Sequence, residues 1–197
     1  MTKLKLKTWK DIKLSVAQEL LTLKVEDFED SLDFYIEQLA ILEDKDPEAI
    51  KNLPVSDILQ KISTYQFLKE YPKEQQFTSF KHNGKRFGMC RLNELTLAQM
   101  VDIEELVNLG IVANMHRVLA VIYLPMTYYN PITKNFKLAE YNGFESRESM
   151  FLELDMDWVY GNLLFFYRIV NLYMNNLKDS LMETVNQQMT IMKESVQ

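Results

Sequence analysis

The chain of 197 residues carries a single cysteine, Cys90. One thiol forms no disulfide within a chain, so a disulfide-stapled scaffold is excluded. There are only five glycines and five prolines, too few for a loop-rich or low-complexity chain. Histidine, the commonest general base and metal ligand, occurs twice, at His82 and His116. Long apolar runs are missing too. The nearest approach, 158–174, is interrupted by Arg168 and holds Asn162 and Asn171, so it reads as a buried helix and no membrane partner is expected. The first residues lack the apolar stretch of a secretory signal. The net charge of −6 argues against a general phosphate-neutralising role, because nucleic-acid affinity comes mostly from Lys and Arg on phosphates.

What is present is core material. Hydrophobic residues make up 47% and charged residues 25%, the balance of an ordinary globular domain. One domain over 1–197 is expected, with an N-terminal helical part (1–75), a hairpin with central helices (76–150) and a long C-terminal helix (151–197). Lys3, Lys5 and Lys7 alternate with leucines, as in a half-exposed strand or extended arm. Thr8 caps a first helix with Asp11 as reciprocal partner and Ile12, Val16, Leu20 and Leu23 as its stripe. Acidic residues at 26–30 open a second, whose stripe is Phe28, Leu32, Ile36, Leu39 and Leu42. Asp46-Pro47 and Pro54-Ser56 mark restarts, and Ile58, Ile62, Tyr65 and Leu68 continue the pattern up to Pro72.

The period then changes. Two β-type runs, 77–82 and 85–91, flank Asn83-Gly84, whose residues adopt the positive φ of a type I′ turn. Thr96 caps a helix with Leu97, Met100, Val101 and Leu106 as buried face, stopped at Gly110. A nearly all-apolar helix, 116–124, is expected to end at Pro125 and to lie centrally. Residues 126–143 are irregular or form a second hairpin around Asn130-Pro131. Asp155 caps the last helix, carrying Val159, Leu163, Phe166, Tyr167, Val170 and Met174. Its stripe continues through Leu177, Leu181, Val185, Met189 and Met192 while the remainder turns polar. A stripe that outlasts the core needs something to lie against, either the domain itself or a partner chain.

Reactive constellations are sparse. Neither histidine has a ligand-type residue at helical spacing, so surface or capping roles are expected. Arg86 and Arg91 near Cys90 would lower its thiol pKa if close in space, yet a small buried core residue is the plainer reading. Asp155 and Asp157 read as a cap and a first-turn charge, and Asp102, Glu104 and Glu105 as a solvated helix face. Gly84-Lys85 lacks the upstream glycine of a phosphate loop. No catalytic residue, metal ligand or cofactor is assigned. Arg168, inside an aromatic-aliphatic run, is expected to reach the surface along its aliphatic stem or to pair with a carboxylate. The basic run of Lys3, Lys5, Lys7, Lys10 and Lys13 has three readings: a solvated terminus, a contact to nucleic acid, or a strap that meets an acidic partner such as the 26–48 stretch of a neighbouring copy. Lys3, Lys5, Lys7, Arg168, Leu177, Leu181, Val185 and Met189 are therefore the candidate partner-binding residues.

Three stretches carry a resemblance. The segment Leu39 to Leu42 with 46–50 and 53–58 resembles tail-assembly chaperones of tailed bacteriophages. The run 95–105 is similar to small phage morphogenesis proteins, and 118–125 with 155–161 and Phe165-Phe166 looks like their C-terminal half. The resemblance implies a non-enzymatic role in virion assembly, in the host cytoplasm and then in the particle, with other phage structural proteins as partners. The hairpin and long C-terminal helix offer more fixed surface than a simple holdase needs, which leaves room for a subunit built into the virion, in the neck or tail, as one of several identical copies. The alternative is a transient chaperone that covers apolar helices of another tail protein. An enzyme using Cys90, His82 or His116 would need those groups to converge in one pocket. The fold expected is mainly α with a small β-hairpin element, a helical core closed by the long C-terminal helix.

Overall fold

Thr8 and Asp11 close a capping box, with the Thr8 N–H and Oγ1 on Asp11 Oδ2 at 2.9 and 3.0 Å, but the turn they start is a single 3-10 turn, Trp9–Asp11. At Ile12–Lys13 the backbone is extended, and Leu14 N–H and Met156 N–H bond across to the Leu154 and Ile12 carbonyls at 2.8 Å each. The first helix proper, α1 (Leu14–Thr22), therefore begins two residues past Ile12. Leu14 and Ala17 become its fully buried residues, Leu20 is buried, and Val16 is half-buried. The computed structural model describes residues 7–70, 72, 77–166 and 168.

A second group of helices follows: α2 (Ser31–Glu43), α3 (Pro47–Lys51) and α4 (Val55–Thr64). Each start has a local cause. Asp30 accepts from the Leu32 and Asp33 N–H groups, and Asp46 accepts from Glu48 N–H just before Pro47 at the first helical position. Ile36, Leu39, Ala40, Ile50, Ile58 and Tyr65 form the core of this group. Lys61 holds Glu43 through both carboxylate oxygens at 2.6 and 2.7 Å, tying α4 to the end of α2. A 3-10 turn, Gln66–Lys69, leads out, and Leu42, Phe67 and Leu68 pack against both this core and the larger one.

The Asn83-Gly84 turn folds as expected, with φ of 46° and 79°. It joins β1 (Ser79–His82) to β2 (Lys85–Met89). The sheet is larger than one hairpin: β3 (Tyr123–Tyr129) and β4 (Phe136–Leu138) complete an antiparallel order β1-β2-β3-β4. Gly88 lies on β2 opposite Leu124 of β3. A Cβ there would stand 2.7 and 2.9 Å from the Phe136 and Leu138 side chains, so a missing side chain lets the β4 strand fold over β2.

Between β2 and β3 lie α5 (Leu97–Asn108) and α6 (Ile111–Ile122), with Gly110 at φ 104° between them. The apolar helix expected over 116–124 begins five residues earlier and ends at Ile122. Pro125 does not terminate it; Pro125 sits inside β3, opposite Phe87. α6 packs against α1, α5 and the short α7 (Glu148–Leu152). A last helix, α8, occupies 156–166. Its Val159, Leu163 and Phe166 are buried as the stripe predicts. Tyr167, Val170 and Met174 lie outside the described residues. Above the sheet, Phe80 is the hub of an aromatic cluster, with ring centroids 5.4 Å from Tyr123, 5.8 Å from Phe151 and 4.9 Å from Trp158. The architecture is α+β, mainly helical with a small antiparallel sheet.

Candidate functional site

The end of α6 is the most heavily constrained place in the molecule. A helix leaves its last four carbonyls without intrahelical donors. Here each finds one. Tyr123 N–H bonds to Leu119, and Arg147 Nη2 to Ala120 at 3.1 Å. Gln99 Nε2 donates to Val121 at 2.9 Å, and Cys90 N–H to Ile122 at 2.8 Å. The Val121 carbonyl would ordinarily face the N–H of residue 125, which is a proline and has none. Gln99 supplies that donor. Its Oε1 accepts from Thr96 N–H and Oγ1 at 3.1 Å each, so one buried amide caps the start of α5 and the end of α6 together.

This arrangement revises the face expected for α5. Leu97 is 82% exposed and Val101 52%, while Gln99, Ile103 and Leu106 face inward. A stripe read from apolar residues alone misses the buried glutamine, which shifts the helix by a fraction of a turn. Asp102 is likewise not simply solvated, since it accepts a short hydrogen bond from the Tyr141 hydroxyl. Burial and that carboxylate both raise the Tyr141 pKa. A similar correction applies to α2, where Leu32 is 53% exposed beside the exposed Tyr35. On α4 the residues Val55 and Leu59, one turn apart, are 71% and 61% exposed while Ile58 is buried. Three helices thus hold apolar ridges outward.

Cys90 is buried, with Gln99 Nε2 3.3 Å from its Sγ. Burial raises its thiol pKa, with Glu94, against the lowering pull of the Gln99 hydrogen bond and of Arg147. Arg86 and Arg91 are not among the groups that act on it, and Cys90 is the small buried core residue of the plainer reading. His82 is half-buried beside the turn, its Nε2 3.0 Å from Asn83 Nδ2. His116 lies on α6 with a buried Nδ1 that has no partner, and burial, then Arg117, lowers its pKa against the opposing pull of Glu148. Cys90 and His82 line different clefts, and His116 lines neither of them. Among the described residues no cluster of three His, Cys, Asp or Glu is placed to hold a metal ion, and no helix is long and apolar enough to cross a membrane.

Of the candidate partner-binding residues, Lys7 turns back on its own chain. Its Nζ lies 3.3 Å from the Tyr65 hydroxyl and 5.1 Å from the ring centroid. The Arg168 side chain is exposed, which fits a guanidinium carried to the surface on its stem. Lys3, Lys5, Leu177, Leu181, Val185 and Met189 lie outside the described residues. Asp155 pairs with Lys13 at 2.8 Å at the crossing of the first and last segments.

One residue escaped the sequence reading. Arg147 is 8% exposed and accounts for three hydrogen bonds besides its 5.8 Å stack on Tyr141: to Ala120, to the Gly143 carbonyl at 2.5 Å and to Asn142 Oδ1 at 3.2 Å. Its Nε is buried without a partner. Burial lowers its pKa, opposed by Tyr141. Flanked by Ser146 and Glu148, it carries no apolar periodicity that would mark it as buried. The sequence matches no protein-family model, and no curated protein or solved structure matches the chain.

Proposed function

We propose that this chain is a non-enzymatic assembly protein of a tailed bacteriophage, present in several copies in the neck or tail of the particle. The observation that carries the reading is the set of outward apolar ridges, Val55 with Leu59 on α4 and Leu97 with Val101 on α5. Both pairs are one helical turn apart, and both stand on helices whose opposite faces are locked into a core. Single exposed apolar residues are ordinary, whereas ridges at helical spacing are the form in which one polypeptide grips another. The resemblance of 39–42 with 46–50 and 53–58, of 95–105, and of 118–125 with 155–161 and Phe165-Phe166 to phage tail-assembly and morphogenesis proteins supports the same class. The acidic entry to α2, with exposed Glu26, Asp27 and Glu29, would meet the basic Lys3 and Lys5 of a neighbouring copy as one complementary contact of a closed ring.

Quantitative mass spectrometry of purified particles tests this reading. A fixed copy number per particle is expected, and absence from mature particles would count against it. A second reading, transient chaperoning, is favoured by the groove between α2 and the end of α4. Phe34, Tyr35, Leu42, Ile62 and Leu68 line it, with a volume of about 210 Å³. It predicts binding to unassembled tail protein that is lost on assembly, with no place in the finished particle.

A further inference from the structure

The hairpin end of β1–β2 and the 139–150 segment enclose a second cleft of about 500 Å³. Arg147 lies in its wall, with His82 and Lys85 from the hairpin, Asn142 and Ser146 from the loop, and Phe87, Pro125 and Met150 as apolar lining. Three features of this cleft converge. First, Arg147 is more than nine-tenths buried, yet no described carboxylate lies within ion-pair distance of it. Second, its donors are not all spent. A guanidinium carries five N–H groups; three are engaged by Ala120, Gly143 and Asn142, and the Nε–H is buried with nothing to bond. Third, Lys85 adds a full positive charge, and Glu140 is the sole carboxylate among the described residues lining the cleft.

Carbonyls at the end of α6 offset part of the Arg147 charge, because a helix C-terminus is worth about half a negative charge. Glu145 offsets a part of the remainder from beyond ion-pair distance, and no described carboxylate meets it directly. Buried cations are ordinarily matched by an anion, and arginine with lysine is the usual pair for an oxyanion. We infer that this cleft is an oxyanion-binding site, with Arg147 as its deep anchor, Lys85 as the charge at its mouth and the Asn142 and Ser146 side chains as neutral partners. The ligand is a single oxyanion head group. Free phosphate is one source, and an acidic side chain presented by another polypeptide is the other. A cleft of this kind binds its ligand in a monomer too, so the site is independent of the assembly reading.

The test uses the full chain and two probes, inorganic phosphate and N-acetyl-glutamate amide, titrated at constant ionic strength with chloride as balance. The arginine Nε–H signals and backbone amides of 82–88 and 142–150 are followed by NMR. A saturable shift of the Arg147 Nε–H with one probe is expected, and the probe that saturates names the source. Lys85→Gln should weaken that binding by roughly two- to fivefold, the scale of one partly exposed charge contact. Glu140→Gln should strengthen it by a similar factor. Arg147→Lys should abolish it; if that variant fails to fold, the Lys85 and Glu140 variants still decide. No saturable shift with either probe would overturn the inference, as would binding that both surface variants leave unchanged.

Discussion

Gln99 should be worth far more to stability than its place on a helix surface turn suggests. Replacing it by leucine keeps nearly the same volume, so the cavity cost is small and the lost hydrogen bonds dominate. Two losses follow. The Val121 carbonyl, which Pro125 cannot serve, is left buried without its donor, at about 1–3 kcal/mol. The Thr96 N–H also loses its acceptor, Gln99 Oε1, at about 1 kcal/mol. The sum is about 3 kcal/mol. Thr96→Ala removes only the cap and should cost about 1 kcal/mol. In a domain of this size each kcal/mol moves Tm by about 2–4 °C, so the two variants should separate clearly. Urea unfolding of wild type, Thr96→Ala, Gln99→Leu and the double variant measures it. The double variant should lose about 1 kcal/mol beyond Gln99→Leu, because Thr96 Oγ1 still accepts from the backbone N–H of residue 99 when that side chain is leucine. Equal losses for the two single variants, or a Gln99→Leu cost below that of Thr96→Ala, would refute the shared-donor account of α5 and α6.

Tyr123 should behave in the same manner at the other side of the core. Its hydroxyl lies 2.5 Å from the Phe77 carbonyl and 3.0 Å from Asn162 Oδ1, so Tyr123→Phe should cost about 1–2 kcal/mol in urea unfolding, and an unchanged midpoint would deny the bridge. Acid sensitivity should trace to His116. Its folded pKa lies below the ordinary 6.5, so the unfolded chain binds the extra proton first, and stability is complete above about pH 6.5 and falls as pH drops through the folded value. His116→Gln should flatten the stability profile below about pH 6.5; an unchanged slope would exclude His116 as its source. Glu43, whose burial works against it while Lys45 and Lys61 pull its pKa below 4.5, loses its contribution only at lower pH, so the two windows are distinguishable. Gly88→Ala should loosen β4, read as faster amide exchange at Phe136 and Leu138, because its Cβ would press on both side chains; exchange at the wild-type rate would contradict the close approach.

Local chemistry was the readable part of this fold. Asp46-Pro47, the Asn83-Gly84 turn and the Thr96 cap each specify their conformation from adjacent residues, and the central position of 116–124 follows from its composition. What stayed hidden depends on partners distant in the chain. Periodicity puts Leu97 and Val101 inside because it counts apolar residues, whereas the helix turns to bury a glutamine whose partners are Val121 and Cys90. Pro125 signals a stop in a helix, yet it lies within β3 opposite Phe87, where its carbonyl still accepts from Ala139 N–H. The isolated bridge between Lys13 and Asp155 splits the first helix at a position where only the last segment supplies a reason. Arg147 shows no pattern at all in one dimension. Its role appears once α6 and the 141–147 loop are side by side.

The proposed assembly role depends on the outward ridges of α4 and α5 being contact surfaces. Sedimentation equilibrium of the full chain, beside a Leu59→Ser/Leu97→Ser variant, tests this most directly. Both side chains are largely exposed, so the variant should keep the wild-type stability within about 0.5 kcal/mol. Wild type is predicted to form a discrete oligomer whose mass falls toward that of the monomer in the variant. A wild-type chain that stays monomeric across the concentration range, or an oligomer of the same mass in both proteins, would contradict it.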